Sequence, residues 1–325
     1  MKVEIAPYQL QPVEGSQLST RRGVLLRVIF DDALSGYADC HPWPELGDAP
    51  LEAQLLLLAS GRTTDLTGCS LAFARIDAKA RQSRKNLFQD LEVPLSHGLM
   101  TTATSSSEKV ISKLLSQGHR TLKIKMGFNI DEEADFLLHW QKTLLSMECT
   151  LRLDFNYRLS EHQFRGFLHK TRNVLPCIEF FEDPFPYHPQ HWQAIREEYG
   201  IKLACDRECA TALESPNACD FLVVKPAVQN TAPFLSEQRG LRPIVMTSYL
   251  DHPIGQLAAA YTAAVSMKDH PQAMSMCGLL TQHAYETTPF SERLLQNDAH
   301  LVPSLEGYGW GYDDLLEAMP WQSLT

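Results

Sequence analysis

Short apolar segments alternate with amphipathic segments throughout residues 91–284, and this alternation constrains the fold more than any other feature. Eight apolar segments are strand candidates, beginning near residues 93, 121, 150, 177, 201, 221, 242 and 272. The segments between them carry apolar residues at helical spacing, as in the predicted helix 105–117, where Ser105 and Glu108 have capping-box spacing. Alternating strands and helices predict an α/β protein with a parallel sheet, and eight strands favour a barrel over an open doubly wound sheet.

The first ninety residues have a different pattern. Three segments with a strand-like pattern are separated by turn-forming residues: 3–10, 24–30 and 35–40. They predict an antiparallel sheet, and helices are predicted over residues 51–59 and 69–88. Residues 1–90 are therefore expected to form a small α+β domain separate from the barrel domain. The tail 285–325 is rich in Gly and aromatic residues and is expected to pack back on that small domain.

Charge and cysteine content exclude several classes of protein. The 29 Lys and Arg residues against 39 Asp and Glu residues leave a formal charge of −10, which gives no attraction to nucleic acid or to anionic membranes. No apolar run near the N-terminus is long enough for a membrane span or a signal sequence. The 8 cysteines have no CxxC spacing that would suit zinc, so reduced thiols and a cytoplasmic location are expected.

Single acidic residues end three consecutive strand candidates. Asp154 follows LRL, Glu182 follows IEFF, and Asp206 follows KLAC. The intervals of 28 and 24 residues each correspond to one strand–helix unit, so the three carboxylates are expected at the C-terminal mouth of the barrel. Grouped carboxylates repel one another unless a cation holds them, and an all-oxygen ligand set selects Mg²⁺, with Mn²⁺ as the alternative. Asn156 lies on the same side as Asp154 and is a candidate for orienting a ligand or water.

Lysines accompany these carboxylates. In TLKIKM a strand period of two places Lys123 and Lys125 on the face opposite the apolar residues, and Lys225 ends the strand candidate FLVVK. A partly desolvated lysine beside a cation has a lowered pKa and can act as a base near neutral pH. Lysines beside Mg²⁺ suit abstraction of a proton next to a carboxylate, because the metal stabilises the enediolate that forms.

The motifs LKIKMG, LRLDFN, FFEDP, LACDRE and VVKP occur in this order along the chain. Together they resemble the enolase superfamily, in its muconate-lactonizing-enzyme branch, over nearly the whole chain. The resemblance implies a modified TIM barrel of the (β/α)7β type with an α+β N-terminal capping domain. It implies that the metal ligands are Asp154, Glu182 and Asp206. It also implies that the base is Lys125, that its support is Lys123, and that the group across the substrate is Lys225.

One position departs from the family pattern. The family has Asp-Glu where this chain has Asp206 followed by Arg207, so the outer acid is missing unless Glu208 replaces it. A non-catalytic binding barrel is therefore kept as an alternative.

Within the branch, the chain most resembles a dehydratase of menaquinone biosynthesis. The resemblance rests on the short chain, the FEDP box, the segment MTSYLDHPIGQLA and Arg152 just before the first proposed ligand. The eighth strand candidate has no acid to pair with a substrate amine, which favours a small carboxylate substrate. The implied reaction is syn elimination of water from a cyclohexadiene carboxylate with a succinyl chain. Arg152 is expected to stack near this substrate, and Thr247 and Ser248 to hydrogen-bond its succinyl group.

Two further functions use the same residues. An N-acylamino acid racemase would use Lys125 and Lys225 as bases on opposite faces of its substrate. An aldolase would form a Schiff base on Lys225 and need no metal. The sequence leaves the oligomeric state open between a monomer and a homo-oligomer.

Overall fold

The N-terminal sheet is built from three antiparallel strands. These are β1 (Lys2–Leu10), β2 (Arg21–Ile29) and β3 (Ser35–Cys40). The structure is a computed structural model that describes residues 1–16, 18–104, 108–237 and 242–325. β2 lies between β1 and β3 and pairs with each of them along its length. The predicted antiparallel sheet is confirmed.

Two helices share an apolar core with this sheet: α1 (Leu51–Ala59) and α2 (Asp65–Gln82). Gly36 in β3 lets α2 approach closely, because a Cβ at Gly36 would be 2.0 Å from the carbonyl oxygen of Ala74. The start of α2 precedes the predicted one, since Thr64 accepts the Thr67 backbone N–H in a capping box. Residues 83–88 were wrongly predicted as helical, because the helix ends at Gln82 and the chain turns at Arg84, where φ is 50°.

Seven parallel strands form the second sheet, in the order of the chain. They are β4 (Gly98–Met100), β5 (Thr121–Lys125), β6 (Thr150–Asp154), β7 (Ile178–Glu182), β8 (Leu203–Cys205), β9 (Phe221–Val224) and β10 (Ile244–Met246). The helices between and after them are α3 (Glu108–Ser116), α4 (Ile130–Ser146), α5 (Glu161–Lys170), α6 (Pro189–Tyr199), α7 (Cys209–Leu213), α8 (Ala232–Glu237) and α9 (Pro253–Asp269). The predicted α/β alternation is confirmed. Ser105, the predicted cap of α3, lies outside the described residues.

The first and last barrel strands differ from the prediction. The first was expected near residue 93, but pairing with β5 begins only at Gly98, opposite Leu122. Pro94 lacks the backbone N–H that a strand there would need. The last candidate begins instead with a 3-10 turn, Pro271–Ala273.

Residues 274–278 nevertheless close the barrel. Isolated parallel bridges join this segment to both edges of the sheet: Met274 to Ile244, Gly278 to Thr247, and Cys277 to Ser96. The backbone N–H of His97 donates to the Cys277 carbonyl at 2.8 Å. The segment therefore lies between β10 and the chain leading into β4, where the last strand of a (β/α)7β barrel belongs.

Alternate residues of each barrel strand face different cores. Leu122 and Ile124 join the large core between the strands and the outer helices. Phe180, Val223 and Val245 belong to a small apolar cluster on the opposite face, inside the barrel. Period-two alternation therefore turns the polar residues of β5 and β6 inward, as the sequence predicts.

The tail returns to the N-terminal sheet. It contains β11 (Leu295–Asn297), β12 (His300–Val302), α10 (Asp313–Glu317) and β13 (Gln322–Ser323). β13 pairs with β1, with Ser323 opposite Glu4. The end of the chain thus adds a strand to the first sheet, whereas domain boundaries at residues 90 and 285 stay predictions. No helix in the described ranges is both long and apolar enough to cross a membrane.

A buried pair of carboxyl groups joins the N-terminal sheet to the barrel. Tyr8 donates to Asp39 Oδ1 at 2.6 Å, and the backbone N–H of His252 donates to Asp39 Oδ2 at 3.1 Å. A Cβ at Gly255 would lie 2.6 Å from Asp39 Oδ2 and 2.5 Å from Asp251 Oδ2, so both carboxyls meet over this glycine. Burial raises the pKa of Asp251 to about 7, and burial together with the charge of Asp251 raises the pKa of Asp39.

The raised pKa values of Asp39 and Asp251 should make the stability of the fold depend on pH. In the unfolded chain both carboxyls titrate near pH 4, so between about pH 4 and pH 7 the folded protein binds more protons and stability falls as the pH rises. We expect Asp251→Asn to flatten this fall and to raise the free energy of unfolding at pH 8 by ~2 kcal/mol. Urea denaturation from pH 5 to pH 8 measures both effects. Asp269→Asn, which removes an exposed carboxyl, is the control, and an equal change in that variant would refute the pair's role.

Candidate active site

A cavity of about 380 Å³ lies at the C-terminal ends of the barrel strands. Its barrel side is lined by residues that include His97, Lys123, Lys125, Asn156, Asp206, Lys225, Thr247, Ser248 and Gly278. Its other side is lined by N-terminal residues: Leu18, Ser19, Arg21, Trp43, Glu45 and Leu46. The N-terminal domain therefore covers the mouth of the barrel, where barrel enzymes place their chemistry.

The three predicted carboxylates lie at neighbouring strand ends. Asp154 and Glu182 are the last residues of β6 and β7 and stand opposite each other in the parallel register. Asp206 directly follows β8, which pairs with β7. All three are buried, and Asp154 has no exposed surface. The intervals between these residues therefore correspond to successive strands of one sheet.

Three lysines contact these carboxylates. Lys123 Nζ bridges two of them, at 2.6 Å from Glu182 Oε1 and 2.9 Å from Asp154 Oδ2. Lys125 Nζ donates to Asp154 Oδ2 at 2.6 Å and to Asn156 Oδ1 at 2.9 Å. On the far side, the ammonium of Lys225 donates to Asp206. The predicted lysines and carboxylates are thus brought into one cluster.

The two outer lysines have opposite electrostatic environments. Burial lowers the pKa of Lys125, and the positive charge of Lys123 acts in the same direction. Burial also opposes the charged form of Lys225, but the Asp206 and Glu182 carboxylates together outweigh burial and raise the pKa of Lys225. Lys125 is therefore the better candidate for a neutral amine that accepts a proton.

The carboxylate cluster is held by lysines in this structure, and its oxygens suit a divalent metal ion. As the side chains stand, no three acidic, histidine or cysteine groups of the described residues converge closely enough to hold one. The reason is visible in the contacts, because Lys123 already bridges Asp154 and Glu182 while Lys225 neutralises Asp206. The donor set itself fits a hard divalent cation, since it consists of buried carboxylate oxygens on adjacent strands.

Asp183 supports the cluster from below and was not among the predicted site residues. Its buried carboxylate accepts the backbone N–H groups of Asp206 and Arg207, each at 3.1 Å. Glu208, which the sequence offered as a substitute acid, is exposed and accepts a hydrogen bond from Thr211. Arg207 lies at the cavity with its guanidinium 5.4 Å from the centre of the Tyr157 ring. The acid that holds the end of β8 is therefore Asp183.

The predicted substrate-binding residues divide into two groups. Asn156, Thr247 and Ser248 line the cavity. Arg152 does not line it, and this corrects the expectation that it stacks near the substrate. The guanidinium of Arg152 is 1% exposed and is held inside the barrel by Glu179 at 2.7 Å. Arg152 lies one inward position below Asp154, too deep to reach the mouth.

Sequence reasoning missed several lining residues. His97 stands alone in the segment SHG, with no partner at motif spacing. Arg21 and Trp43 stack at 3.5 Å and come from the N-terminal domain, and Arg21 also donates to Glu45 at 2.8 Å. The only available signal was the placement of Trp43 in a Pro-rich loop directly after β3.

Solved structures show the fold. A mandelate racemase/muconate lactonizing enzyme from Roseiflexus sp. matches with a TM-score of 0.77 at 16% identity, covering 95% of this chain and 96% of that chain. The muconate lactonizing enzyme of Pseudomonas putida matches with a TM-score of 0.74 at 14% identity, covering 95% of each. At these identities the likeness shows the fold alone, and it agrees with the predicted barrel and α+β capping domain.

Sequence relatives show the family. Residues 3–80 match the N-terminal domain of O-succinylbenzoate synthase. An o-succinylbenzoate synthase from Bdellovibrio bacteriovorus is 34% identical over 334 residues, covering 100% of this chain and 99% of the relative. The chain therefore belongs to the o-succinylbenzoate synthase family, and the predicted carbon–oxygen lyase is confirmed. The family implies a divalent metal ion.

Proposed function

We propose that this chain converts 2-succinyl-6-hydroxy-2,4-cyclohexadiene-1-carboxylate to o-succinylbenzoate and water, with Lys125 as the base. The assignment of Lys125 as the base rests on its surroundings. Lys125 lines the cavity, has a lowered pKa, and contacts the carboxylate cluster. Lys225 faces the same cavity from the end of β9, four strands away from β5, which carries Lys125.

The residues that would hold the metal are Asp154, Glu182 and Asp206, and the proposed ion is Mg²⁺. Carboxylate oxygens favour such a hard cation, with Mn²⁺ as the alternative. When bound, the ion stabilises the negative charge that develops on the substrate carboxylate as the α-proton leaves. Asp183 fixes the backbone that presents Asp206 and so supports this set.

One lysine accounts for both proton transfers of a syn elimination. Neutral Lys125 takes the α-proton. The electron pair of that C–H bond passes onto the carboxylate attached to the ring and forms an enediolate. The C–O bond then breaks, Lys125 returns the proton to the leaving hydroxyl, and water departs as the ring becomes aromatic. Asn156 orients the amine through its hydrogen bond at 2.9 Å. The charged Lys225 stabilises the intermediate from the opposite side of the cavity.

A metal-dependence assay tests the proposal. The cyclohexadiene substrate is followed by absorbance with the purified protein, after treatment with EDTA and again after addition of Mg²⁺. We expect EDTA to lower kcat by about 100-fold or more and Mg²⁺ to restore it. Activity that survives EDTA, together with covalent trapping of substrate on Lys225 by borohydride, would instead establish the Schiff-base aldolase.

The free cysteines bear on the cellular location of the protein. We infer a cytoplasmic location, which is supported by eight free cysteines, seven of them buried.

A further inference from the structure

His97 lies at the side of the barrel mouth that the carboxylates do not occupy. It directly precedes β4, is 4% exposed, and lines the cavity. Its neighbours on this side are Gly278, from the closing segment 274–278, and Thr247, at the end of β10. The carboxylates belong to β6, β7 and the end of β8, across the barrel from this group.

The hydrogen bonds of Arg152 fix the tautomer of His97. One guanidinium nitrogen donates to His97 Nδ1 at 2.9 Å and to the Met276 carbonyl at 2.8 Å. Arg152 Nε donates to Glu179 Oε2 at 2.7 Å. An arginine has only donors, so Nδ1 must accept, and a neutral imidazole then carries its proton on Nε2. The adjacent guanidinium also disfavours an imidazolium.

The Nε2 edge of the ring lies beside Gly278, and both residues line the cavity. A Cβ on Gly278 would be 2.7 Å from His97 Nε2 and 2.8 Å from Thr247 Cγ2, so the glycine packs directly against both side chains and a larger residue there would collide with them. Thr247 is 6% exposed, and its hydroxyl is buried without a hydrogen-bond partner among the residues that the structure describes. His97 and Thr247 thus flank Gly278 in the same part of the cavity wall, and a buried hydroxyl without a partner costs free energy until a ligand supplies one.

We infer that His97 is a substrate-binding residue whose Nε2–H, together with the Thr247 hydroxyl, binds an oxygen of the substrate's succinyl chain. Arg152 and Glu179 are positioning residues that hold the ring in the required tautomer. The inference rests on the proposed function, because it takes the ring carboxylate to lie at the carboxylate cluster. The succinyl chain then extends across the mouth toward His97.

Ligand binding by isothermal titration calorimetry in the presence of Mg²⁺ tests this assignment. The probes are o-succinylbenzoate, 2-acetylbenzoate, which keeps the ketone but lacks the terminal carboxylate, and benzoate, which lacks both. We expect His97→Asn to weaken o-succinylbenzoate about 10- to 100-fold and to leave benzoate within about threefold. His97→Gln, whose amide nitrogen reaches the position of Nε2, should restore most of the loss.

The outcomes separate the two proposals. If His97→Asn also weakens the binding of 2-acetylbenzoate, the oxygen bound by His97 is that of the ketone. If only the binding of o-succinylbenzoate weakens, the bound oxygen belongs to the terminal carboxylate. An equal loss for benzoate, or no loss at all, overturns the assignment of His97 even where the dehydratase activity stands. Conversely, selective loss of the succinyl-bearing ligand in a protein without dehydratase activity would support His97 and reject the proposed reaction.

Nitrogen-15 NMR of the labelled protein reads the tautomer directly. We expect a protonated Nε2 and an unprotonated Nδ1 for His97 at every pH from 6 to 9. Arg152→Met should release this preference, because it removes the donor to Nδ1. A His97 that carries its proton on Nδ1 in the unsubstituted protein would contradict the assignment.

Discussion

Replacing Lys125 by Gln is expected to lower kcat for the dehydration by about 1,000-fold. A glutamine amide can still donate toward Asp154, as the ammonium does at 2.6 Å, but it cannot take up a proton. The loss should appear in kcat more than in KM, since Lys125 acts on the reacting atoms and the carboxylate cluster stays in place. Steady-state kinetics with the cyclohexadiene substrate measure the effect.

Two controls make this result interpretable. Lys142→Gln removes an exposed lysine from α4 and should leave kcat unchanged. Binding of o-succinylbenzoate to Lys125→Gln should stay within a few fold, which separates lost chemistry from lost folding. If Lys125→Gln keeps more than a tenth of the activity, another group is the base and the mechanism proposed above is wrong.

The cluster of lysines and carboxylates was predictable because its signals are local. A single charge at the end of an apolar strand and a period of two within TLKIKM both depend on a few consecutive residues. Parallel register then brings Lys125 opposite Asp154 and Asp154 opposite Glu182 without further information. Such residues could be grouped before any contact was known.

The other side of the site depends on contacts that no local pattern encodes. His97 enters the cavity because the distant segment 274–278 closes the barrel beside it. That segment contains only Met, Ser, Cys and Gly, with no β-branched or aromatic residue, so its sequence gives a poor strand signal, and it pairs through isolated bridges. Arg21 and Trp43 reach the cavity only because the N-terminal domain docks on the mouth.

Arg152 shows the limit of periodicity within a strand. Alternation correctly turns its side chain inward, but it does not say at which depth the guanidinium stops. One strand period corresponds to about 7 Å along the strand, which separates Arg152 from the level of Asp154. At that depth the guanidinium contacts Glu179, Met276 and His97, of which His97 lines the cavity.

Replacing Asp77 by Ala is expected to lower the free energy of unfolding by about 3–5 kcal/mol. Asp77 in α2 has no exposed surface. Its Oδ1 accepts the Trp310 backbone N–H at 2.8 Å, and its Oδ2 accepts the Tyr37 backbone N–H at 2.9 Å and Arg81 Nε at 2.6 Å. One carboxylate therefore ties α2 to β3 and to the tail. Its loss leaves the backbone N–H groups of Tyr37 and Trp310 without this acceptor, while Arg81 keeps its ion pair with Asp313.

Urea denaturation at pH 7.5 measures this loss, at a pH where Asp77 is ionised even though burial raises its pKa to about 6. Asp32→Ala is the matched control, because it removes an exposed partner of Arg75 and should leave stability nearly unchanged. The free energy of unfolding of Asp77→Asn should lie between those of Asp77→Ala and the unsubstituted protein. The asparagine keeps one acceptor oxygen, but its NH2 group faces an N–H donor and cannot accept from it. A loss below about 1 kcal/mol in Asp77→Ala would mean that water replaces the carboxylate and that the tail is held by apolar packing around Trp310 instead.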